Sequence, residues 1–160
     1  MKYRRIVVEC KPDKELINWI FNIINVRMKI IHRVYKGGKG AVMDIIKTSD
    51  HVIAVVDEDP DAPRHPLYSK LTTIYNSNYL NIYGGIHNNI VFELRPNLEG
   101  WLLAIIRETH MKIGYPKDEK YLHARLSARP RQIITILEKA RKKSKILLEF
   151  ITNFKKYISP

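Results

Sequence analysis

Cysteine is almost absent from this chain of 160 residues, which contains only Cys10. A lone cysteine cannot form an internal disulfide, and it excludes a zinc site built from several cysteines. Long apolar runs are also missing: none approaches the roughly 18 residues of a membrane-spanning helix. Residues 6–8 are too few for the apolar region of a signal peptide. We therefore expect a cytoplasmic protein without a membrane partner.

Acidic residues are scarce relative to basic ones, with 16 Asp and Glu against 28 Lys and Arg and a formal net charge of +12. Residues 107–160 carry +9 of that charge and residues 1–106 only +3. Such a surplus favours a polyanionic partner, first of all DNA or RNA. Because aromatic side chains for base stacking are few in the basic region, we expect contacts to the phosphate backbone. The candidate phosphate contacts are Arg129, Arg131, Lys142 and Lys143, and the alternative is a solvated helix face.

The first 60 residues alternate between strand and helix patterns. Residues 6–8 are β-branched, and residues 52–56 are apolar without a break, which is typical of a strand buried on both faces. Apolar residues at helical spacing lie between these strands and around a second strand that begins at residue 29. The order predicts an α/β fold with a doubly wound, mostly parallel sheet.

The rest of the chain predicts further strands and a helical end. We expect a short helix within residues 67–75, strands at 79–83 and 89–94, and a helix over 98–113 capped by Asn97. Residues 127–157 read as helical, in one or two pieces, with Leu148 among the inward-facing positions. The length suits one domain, with an α/β core over residues 1–105 and basic helices over 106–160 packed on it. A homodimer through a free strand edge within residues 79–94 stays open.

Two groups of acidic residues each follow an apolar strand. Glu9 comes directly after the first strand, and Asp57 and Asp59 come directly after the third. Because parallel strands end at the same edge of a sheet, we expect these carboxylates to converge. Converging carboxylates are tolerated when a hard divalent cation neutralises them, and oxygen ligands suit Mg²⁺ or Mn²⁺. A solvated acidic turn over residues 57–61 is the alternative.

The order of these motifs resembles the Toprim domain. Residues 9–13 (Glu-Cys-Lys-Pro-Asp) are similar to its Glu-Gly-x-x-Asp start, and residues 57–59 (Asp-Glu-Asp) to its Asp-x-Asp motif. Residues 38–40 lie where that domain often has glycine. Residues 99–102 (Glu-Gly-Trp-Leu) resemble a patch of compact stand-alone Toprim-like proteins, related to the OLD-family and RloB-like nucleases. The resemblance covers residues 3–105 and implies a Toprim-like α/β core.

The resemblance implies a Mg²⁺-dependent nuclease and a role for each matching residue. Glu9 would act as general acid or base, Asp57 and Asp59 would hold Mg²⁺ (or Mn²⁺), and Glu99 would contribute to a second metal. Cys10 departs from the family pattern, because it stands where the family usually has glycine. From the residues themselves, Asp13 is expected to cap a helix. Residues 37–40 are expected to form a turn from which Lys39 contacts a phosphate.

Two other functions stay open on the sequence. The first is a non-catalytic module that binds nucleic acid or a protein partner, which the replacement of glycine by Cys10 favours. The second is a receiver-type phosphoacceptor domain, in which clustered acids also bind magnesium at strand ends. A receiver carries its acidic pair after the first strand, whereas here the pair of Asp57 and Asp59 follows the third, so this possibility ranks last.

Overall fold

The computed structural model describes residues 3, 5–27, 29–32, 38–112 and 118–158. Its centre is one six-stranded sheet. The strands are β1 (Arg5–Val8), β2 (Lys29–His32), β3 (Val52–Asp57), β4 (Thr72–Asn76), β5 (Leu80–Gly84) and β6 (Ile90–Leu94). They lie in the order β2-β1-β3-β6-β5-β4.

The sheet is mixed, with a parallel part and an antiparallel extension. β1 pairs in parallel with β2 and with β3, and β3 pairs in parallel with β6. β5 and β4 continue the sheet beyond β6 in antiparallel pairings. The chain leaves β1 for β2 on one side and returns to β3 on the other, so a topological switch point lies between β1 and β3. In open α/β sheets, ligands bind at the carboxyl ends of strands at such a point.

Helices cover both faces of the sheet. One face packs against α1, α3, α4, α5 and α6, and the other against α2 and a short 3₁₀ helix. Alternate residues of β1 serve the two layers, since Ile6 and Val8 face the first and Val7 faces the second. Burial on both faces explains the unbroken apolar sequence of β3. The helices are α1 (Lys11–Ile24), α2 (Gly38–Thr48), α3 (Leu98–Glu108), α4 (Glu119–Ala128), α5 (Gln132–Ala140), α6 (Lys145–Ile158) and the 3₁₀ helix (Pro66–Lys70).

The C-terminal helices share the main core with the sheet. Phe92 of β6 packs on Phe150 and Phe154 of α6, with ring centroids 5.6 and 5.2 Å apart. Trp101 of α3 adds an edge contact to Phe150 at 5.7 Å. Such aromatic contacts add about 1 kcal/mol each to the gain from burial. The basic C-terminal region is therefore built onto the α/β core and does not stand apart from it.

The structure differs from the sequence prediction in the middle of the chain. The helix predicted within residues 67–75 is a 3₁₀ helix that ends at Lys70, followed by the unpredicted strand β4. β4 has no buried face to give an apolar signal, and Ile74 is half exposed. β4 and β2 are the edges of the sheet, whereas β5 and β6 lie inside it. The free edge expected within residues 79–94 is therefore wrong, and a homodimer stays a prediction.

The helical end also differs from its prediction. Helix α4 was missed because it buries only Leu122 and Leu126 and so has a weak apolar stripe. The helix predicted over 98–113 ends at Glu108, and Leu148, expected inside, is 59% exposed. The continuation of β2 over residues 33–35, and Gly37, lie outside the described residues. No helix in the described ranges is long and apolar enough to cross a membrane.

The buried side chain of Asn89, in the turn before β6, forms hydrogen bonds with the segment that connects α2 to β3. Its Oδ1 accepts a hydrogen bond from the Val52 amide at 2.8 Å. Its Nδ2 donates to the carbonyl oxygens of Ile46 and Ser49 at 2.8 and 2.7 Å. These three bonds satisfy backbone groups at the end of α2 and the start of β3, where the main chain changes direction.

Replacing Asn89 by alanine tests this tie. Asn89→Ala should lower the free energy of unfolding by about 3 kcal/mol, because it leaves buried backbone groups without partners. Urea unfolding followed by circular dichroism measures the change. The exposed Asn78, in the turn before β5, provides the control, and Asn78→Ala should change stability by less than about 0.5 kcal/mol. Equal losses in both variants would contradict the role of Asn89.

Candidate functional site

Glu9 and Asp57 meet at the carboxyl ends of two neighbouring strands. β1 and β3 pair in parallel with Val8 opposite Val55, so the residues that follow emerge at the same edge. Glu9 Oε1 accepts a hydrogen bond from the Asp57 backbone amide at 2.8 Å. This contact joins the two strand ends at the switch point of the sheet. The structure thus brings together the two acids that the sequence placed after apolar strands.

The first turn of α2 comes close to Glu9 at a glycine. Gly38 has a φ of +40°, in the left-handed region that favours glycine. A Cβ added there would lie 3.7 Å from Glu9 Oε2. With glycine at this position, the side of Glu9 that carries Oε2 is not crowded by a neighbouring side chain. The segment 38–40 belongs to helix α2 and is not the plain turn that the sequence predicted.

The loop after β3 is fastened to the connection between β6 and α3. The amides of Glu58 and Asp59 donate to the carbonyl oxygens of Leu94 and Pro96 at 2.9 and 3.0 Å. Glu58 also forms an ion pair with Arg95, with 3.1 Å between Oε2 and Nε. Asp59 has a φ of +49°, which aspartate tolerates better than most residues. Asp59 also lines an open cleft of about 560 Å³ at this edge of the protein.

Lys39 lies inside the site, beneath the loop that follows β3. Its Nζ donates hydrogen bonds to the carbonyl oxygens of Asp57 and Glu58, the latter at 2.8 Å. It also lies 3.5 Å from Glu93 Oε2, and its side chain is only 17% exposed. Its donors are therefore directed at the end of β3 and at a buried carboxylate. Lys39 thus positions the acidic loop from beneath, and its contact with a phosphate stays a prediction.

Asp13 is the site residue whose importance the sequence understated. It lies in the first turn of α1 and its Oδ2 accepts hydrogen bonds from the Cys10 amide at 3.1 Å and from Cys10 Sγ at 3.0 Å. Helix α1 begins at Lys11 with Cys10 at its N-cap, so the prediction that Asp13 caps the helix is wrong, and Asp13 is the third helical residue, which accepts from the cap residue. However, Asp13 is 1% exposed, and its Oδ1 is buried without a hydrogen-bond partner in the described part of the chain. In the sequence, Asp13 could have been recognised as the last residue of the segment 9–13 that resembles the Glu-Gly-x-x-Asp motif.

Cys10 adopts a conformation that any residue can take. Its φ of −139° and ψ of 175° are extended, so the backbone does not require glycine at this position. Burial, followed by the charge of Asp13, raises the pKa of the thiol far above its ordinary value. Cys10 is therefore a neutral thiol that donates to Asp13, and it is not an activated nucleophile.

The carboxylates of the site raise one another's pKa. Burial is the largest cause for Glu9, whose pKa rises to about 8, and the charges of Asp13 and Asp59 add to it. Burial likewise raises the pKa of Asp13 to about 6. The pKa of Asp57 is raised well above its ordinary value by burial and then by the charges of Asp13, Glu9, Asp59 and Glu99. Five acidic residues therefore lie within electrostatic reach of one another.

Glu99 stands at the first turn of α3 and has an unexpected partner. Glu99 Oε1 lies 2.8 Å from His123 Nδ1, on helix α4. The charge of Glu99 raises the pKa of both Asp13 and Asp57, so it belongs to the acidic site, as expected. Nothing in the sequence pointed to His123, because 24 residues separate it from Glu99 and its contact depends on how α4 packs.

Two carboxylate oxygens of the site are of the kind that a hard divalent cation binds. Asp13 Oδ1 and Asp57 Oδ1 are both buried without a hydrogen-bond donor in the described ranges, and a cation would satisfy such oxygens. As the side chains stand, no group of three or more His, Cys, Asp or Glu among the described residues is arranged to hold a metal ion. Glu9 Oε1 and Asp13 Oδ2 already accept hydrogen bonds, so binding would require these side chains to rotate.

The basic candidates fall into two separate places. Arg129 and Arg131 lie in the connection between α4 and α5, where they line a cavity together with Lys11 and Lys14. Lys142 and Lys143 are exposed in the connection between α5 and α6. Helix α5 separates the two places by about 14 Å, at 1.5 Å per residue. The structure thus does not gather Lys142 and Lys143 with the two arginines.

Comparisons with known proteins do not assign the chain to a family. No protein-family model matches it, and no curated protein or solved structure is significantly similar to it.

The raised pKa of Glu9 predicts a pH dependence of stability. Folded Glu9 keeps its proton up to about pH 8, whereas the unfolded chain releases it near its ordinary pKa of 4.5. The free energy of unfolding in EDTA should therefore fall as the pH rises between these values. The free energy of unfolding of Glu9→Gln should fall less steeply over the same pH range. The fall that remains would come from Asp13 and Asp57, whose pKa values are also raised. Thermal unfolding across this window measures it, with Asp44→Asn on the exposed side of α2 as the control. Parallel profiles for wild type and Glu9→Gln would contradict the burial of Glu9.

The inward position of Lys39 predicts a structural effect of its loss. Lys39→Gln should lower the free energy of unfolding by about 2 kcal/mol, because the Asp57 and Glu58 carbonyls lose a charged donor. Lys47, exposed on the same helix, provides a matched control. Lys47→Gln should be neutral in the same urea titration. If Lys39→Gln is as stable as wild type, the inward hydrogen bonds of Lys39 do not stabilise the fold and this prediction is wrong.

Proposed function

We propose that this protein is a Mg²⁺- or Mn²⁺-dependent nuclease of the Toprim type, acting on phosphodiester bonds of DNA or RNA. The observation that carries the proposal is the meeting of Glu9, Asp13 and Asp57 at the switch point, with two buried carboxylate oxygens that have no donor among the described residues. The buried, mutually repelling carboxylates reduce stability, and a functional site is a common reason for such an arrangement.

In this proposal the acidic residues divide into metal ligands and a proton donor. Asp57, Asp59 and Asp13 would hold the ion, and Glu99 would contribute to a second one. When bound, the ion would supply charge stabilisation at a phosphoryl oxygen. Glu9 would hold a proton on Oε2, because its Oε1 already accepts the Asp57 amide. With a pKa of about 8, this carboxyl is protonated at neutral pH and suited to protonate a leaving oxygen.

Lys39 would keep the acidic loop in place during the reaction. Its ammonium group binds the main-chain oxygens of Asp57 and Glu58, so the loop is anchored without using the carboxylates themselves. The cleft beside Asp59 would give a strand access to the site from the solvent. The net charge of +12 supports a polyanionic substrate.

The parallel part of the sheet supports the Toprim proposal. The resemblance predicts a mostly parallel α/β core with acids after the first and third strands, and β2-β1-β3-β6 is such a parallel part. The antiparallel strands β4 and β5 lie outside the motifs that carry the resemblance. The proposal of a Toprim-type nuclease therefore depends on the acidic site, with the strand order as support.

A non-catalytic nucleic-acid-binding module is the second candidate. It is favoured by the Cys10 thiol, which occupies Asp13 Oδ2, and by the absence, among the described residues, of an acidic group arranged for a metal as it stands. Such a module would bind nucleic acid with a strong salt dependence. Its binding would survive the loss of Asp57.

Asp57→Asn tests the proposed function. The variant should lose Mg²⁺ and Mn²⁺ binding in calorimetry, and it should lose metal-dependent cleavage of labelled DNA or RNA. Without metal it should be at least as stable as wild type near pH 8, because the change removes a repelling charge. That stability separates a lost site from a misfolded protein.

Asp61→Asn is the matched control, since Asp61 is exposed on the same loop. It should bind metal and cleave like wild type. Metal-dependent cleavage that persists in Asp57→Asn would overturn the nuclease proposal. Metal binding without cleavage by wild type, together with salt-dependent binding that persists in Asp57→Asn, would favour the module.

A further inference from the structure

A cationic pocket lies between the first turn of α1 and the connection from α4 to α5. Its volume is about 630 Å³, within the range of ligand-binding pockets. One wall carries Lys11 and Lys14, and the other carries Arg129 and Arg131. The two walls are more than 110 residues apart in the sequence, so only the packing of α1 against α4 and α5 creates the pocket.

Within the described part of the chain, no hydrogen bond or ion pair engages the side chain of Lys11, Lys14, Arg129 or Arg131. Glu15 is the acidic residue of the lining, so the charge of the pocket walls is strongly positive. Positive charges held around one cavity repel each other, and an anion bound between them would relieve that repulsion.

The chemistry of the walls selects a phosphate group. Arginine presents a planar fork of donors that matches phosphate oxygens, and lysine adds a point charge. The pocket lining contains no aromatic side chain on which a base could stack. The pocket is thus suited to phosphate rather than to a nucleobase.

The pocket adjoins the acidic site along the chain itself. Lys11 follows Glu9 by two residues, so their Cα atoms are at most about 7 Å apart. Asp13 of the acidic site lies between Lys11 and Lys14 on the same helical turn. The first turn of α1 thus contributes Asp13 to the acidic site and Lys11 and Lys14 to the pocket.

We propose that this pocket binds one phosphate group of the nucleic-acid strand while the acidic site acts on a different phosphate of the same strand. This inference rests on the proposed function. It adds a contact between the substrate and the four cations of the pocket, of which Lys11 and Lys14 lie on α1. The phosphate is either the terminal phosphate of a strand end or an internal phosphodiester. Both sources offer the oxygens that the four cations recognise.

The test is binding of fluorescein-labelled single-stranded oligonucleotides in EDTA, measured by anisotropy over a range of salt concentrations. Arg129→Gln with Arg131→Gln removes one wall, and Lys11→Gln with Lys14→Gln removes the other. Each double variant should weaken binding about tenfold and reduce the slope of log K against log salt by about 0.7. Lys47→Gln with Lys155→Gln, two exposed lysines elsewhere on the surface, should bind like wild type.

The outcomes separate this inference from the proposed function. Wild-type binding that both pocket variants retain would overturn the pocket while the acidic site stands. No binding by wild type to any oligonucleotide in EDTA would overturn the pocket, whereas metal-dependent cleavage by wild type would leave the acidic site standing. If the pocket variants lose more affinity for a 5′-phosphorylated strand than for the 5′-hydroxyl strand, the pocket binds a terminal phosphate. If they lose the same affinity for both strands, it binds an internal phosphate. Mg²⁺ binding by calorimetry should be unchanged in both pocket variants, which shows that they fold.

Discussion

The parallel pairing of β1 with β3 is the constraint on which the site depends. It places Glu9 beside Asp57 and allows the Asp57 amide to donate to the Glu9 carboxylate at 2.8 Å. Since β2 lies on the far side of β1, the crossover helices α1 and α2 leave the pair on opposite faces and open a crevice above it. Asp13 enters this crevice from α1, and Gly38 and Lys39 enter it from α2.

The carboxylates gathered in this crevice work against folding. Burial raises the pKa of Glu9 and Asp13, and burial with four neighbouring charges raises that of Asp57. In the absence of a cation, a pKa of about 8 keeps a proton on Glu9 at neutral pH. Binding a divalent cation would compete with that proton. The proposed phosphodiester chemistry depends on this combination of a protonated Glu9 and neighbouring carboxylates.

A buried polar network beneath the sheet edge offsets part of this cost. Glu93 of β6 is 1% exposed and accepts hydrogen bonds from the hydroxyls of Tyr68 and Tyr83 and from the Asn81 side chain. Lys39 links this network to the main chain of Asp57. Fully bonded networks of this kind are rigid. The loop that carries Asp57 and Asp59 is thus held from below by neutral and paired groups, and its carboxylates remain available.

The sequence by itself determined the strand ends that carry Glu9 and Asp57, because unbroken apolar runs report burial on both faces of a sheet. The helix cap at Asn97 was equally readable, since capping is local, and Asn97 Oδ1 does accept the Gly100 amide. Only the tertiary structure decided the inward position of Lys39 and the buried Asp13 oxygen that has no donor among the described residues. It also decided the contact of His123 with Glu99 and the position of Lys11 opposite the α4–α5 connection. These features depend on how helices pack across long sequence separations. Local periodicity and charge carry no information about such packing. β4 and α4 also escaped prediction, because they bury few apolar residues and so have a weak periodic signal.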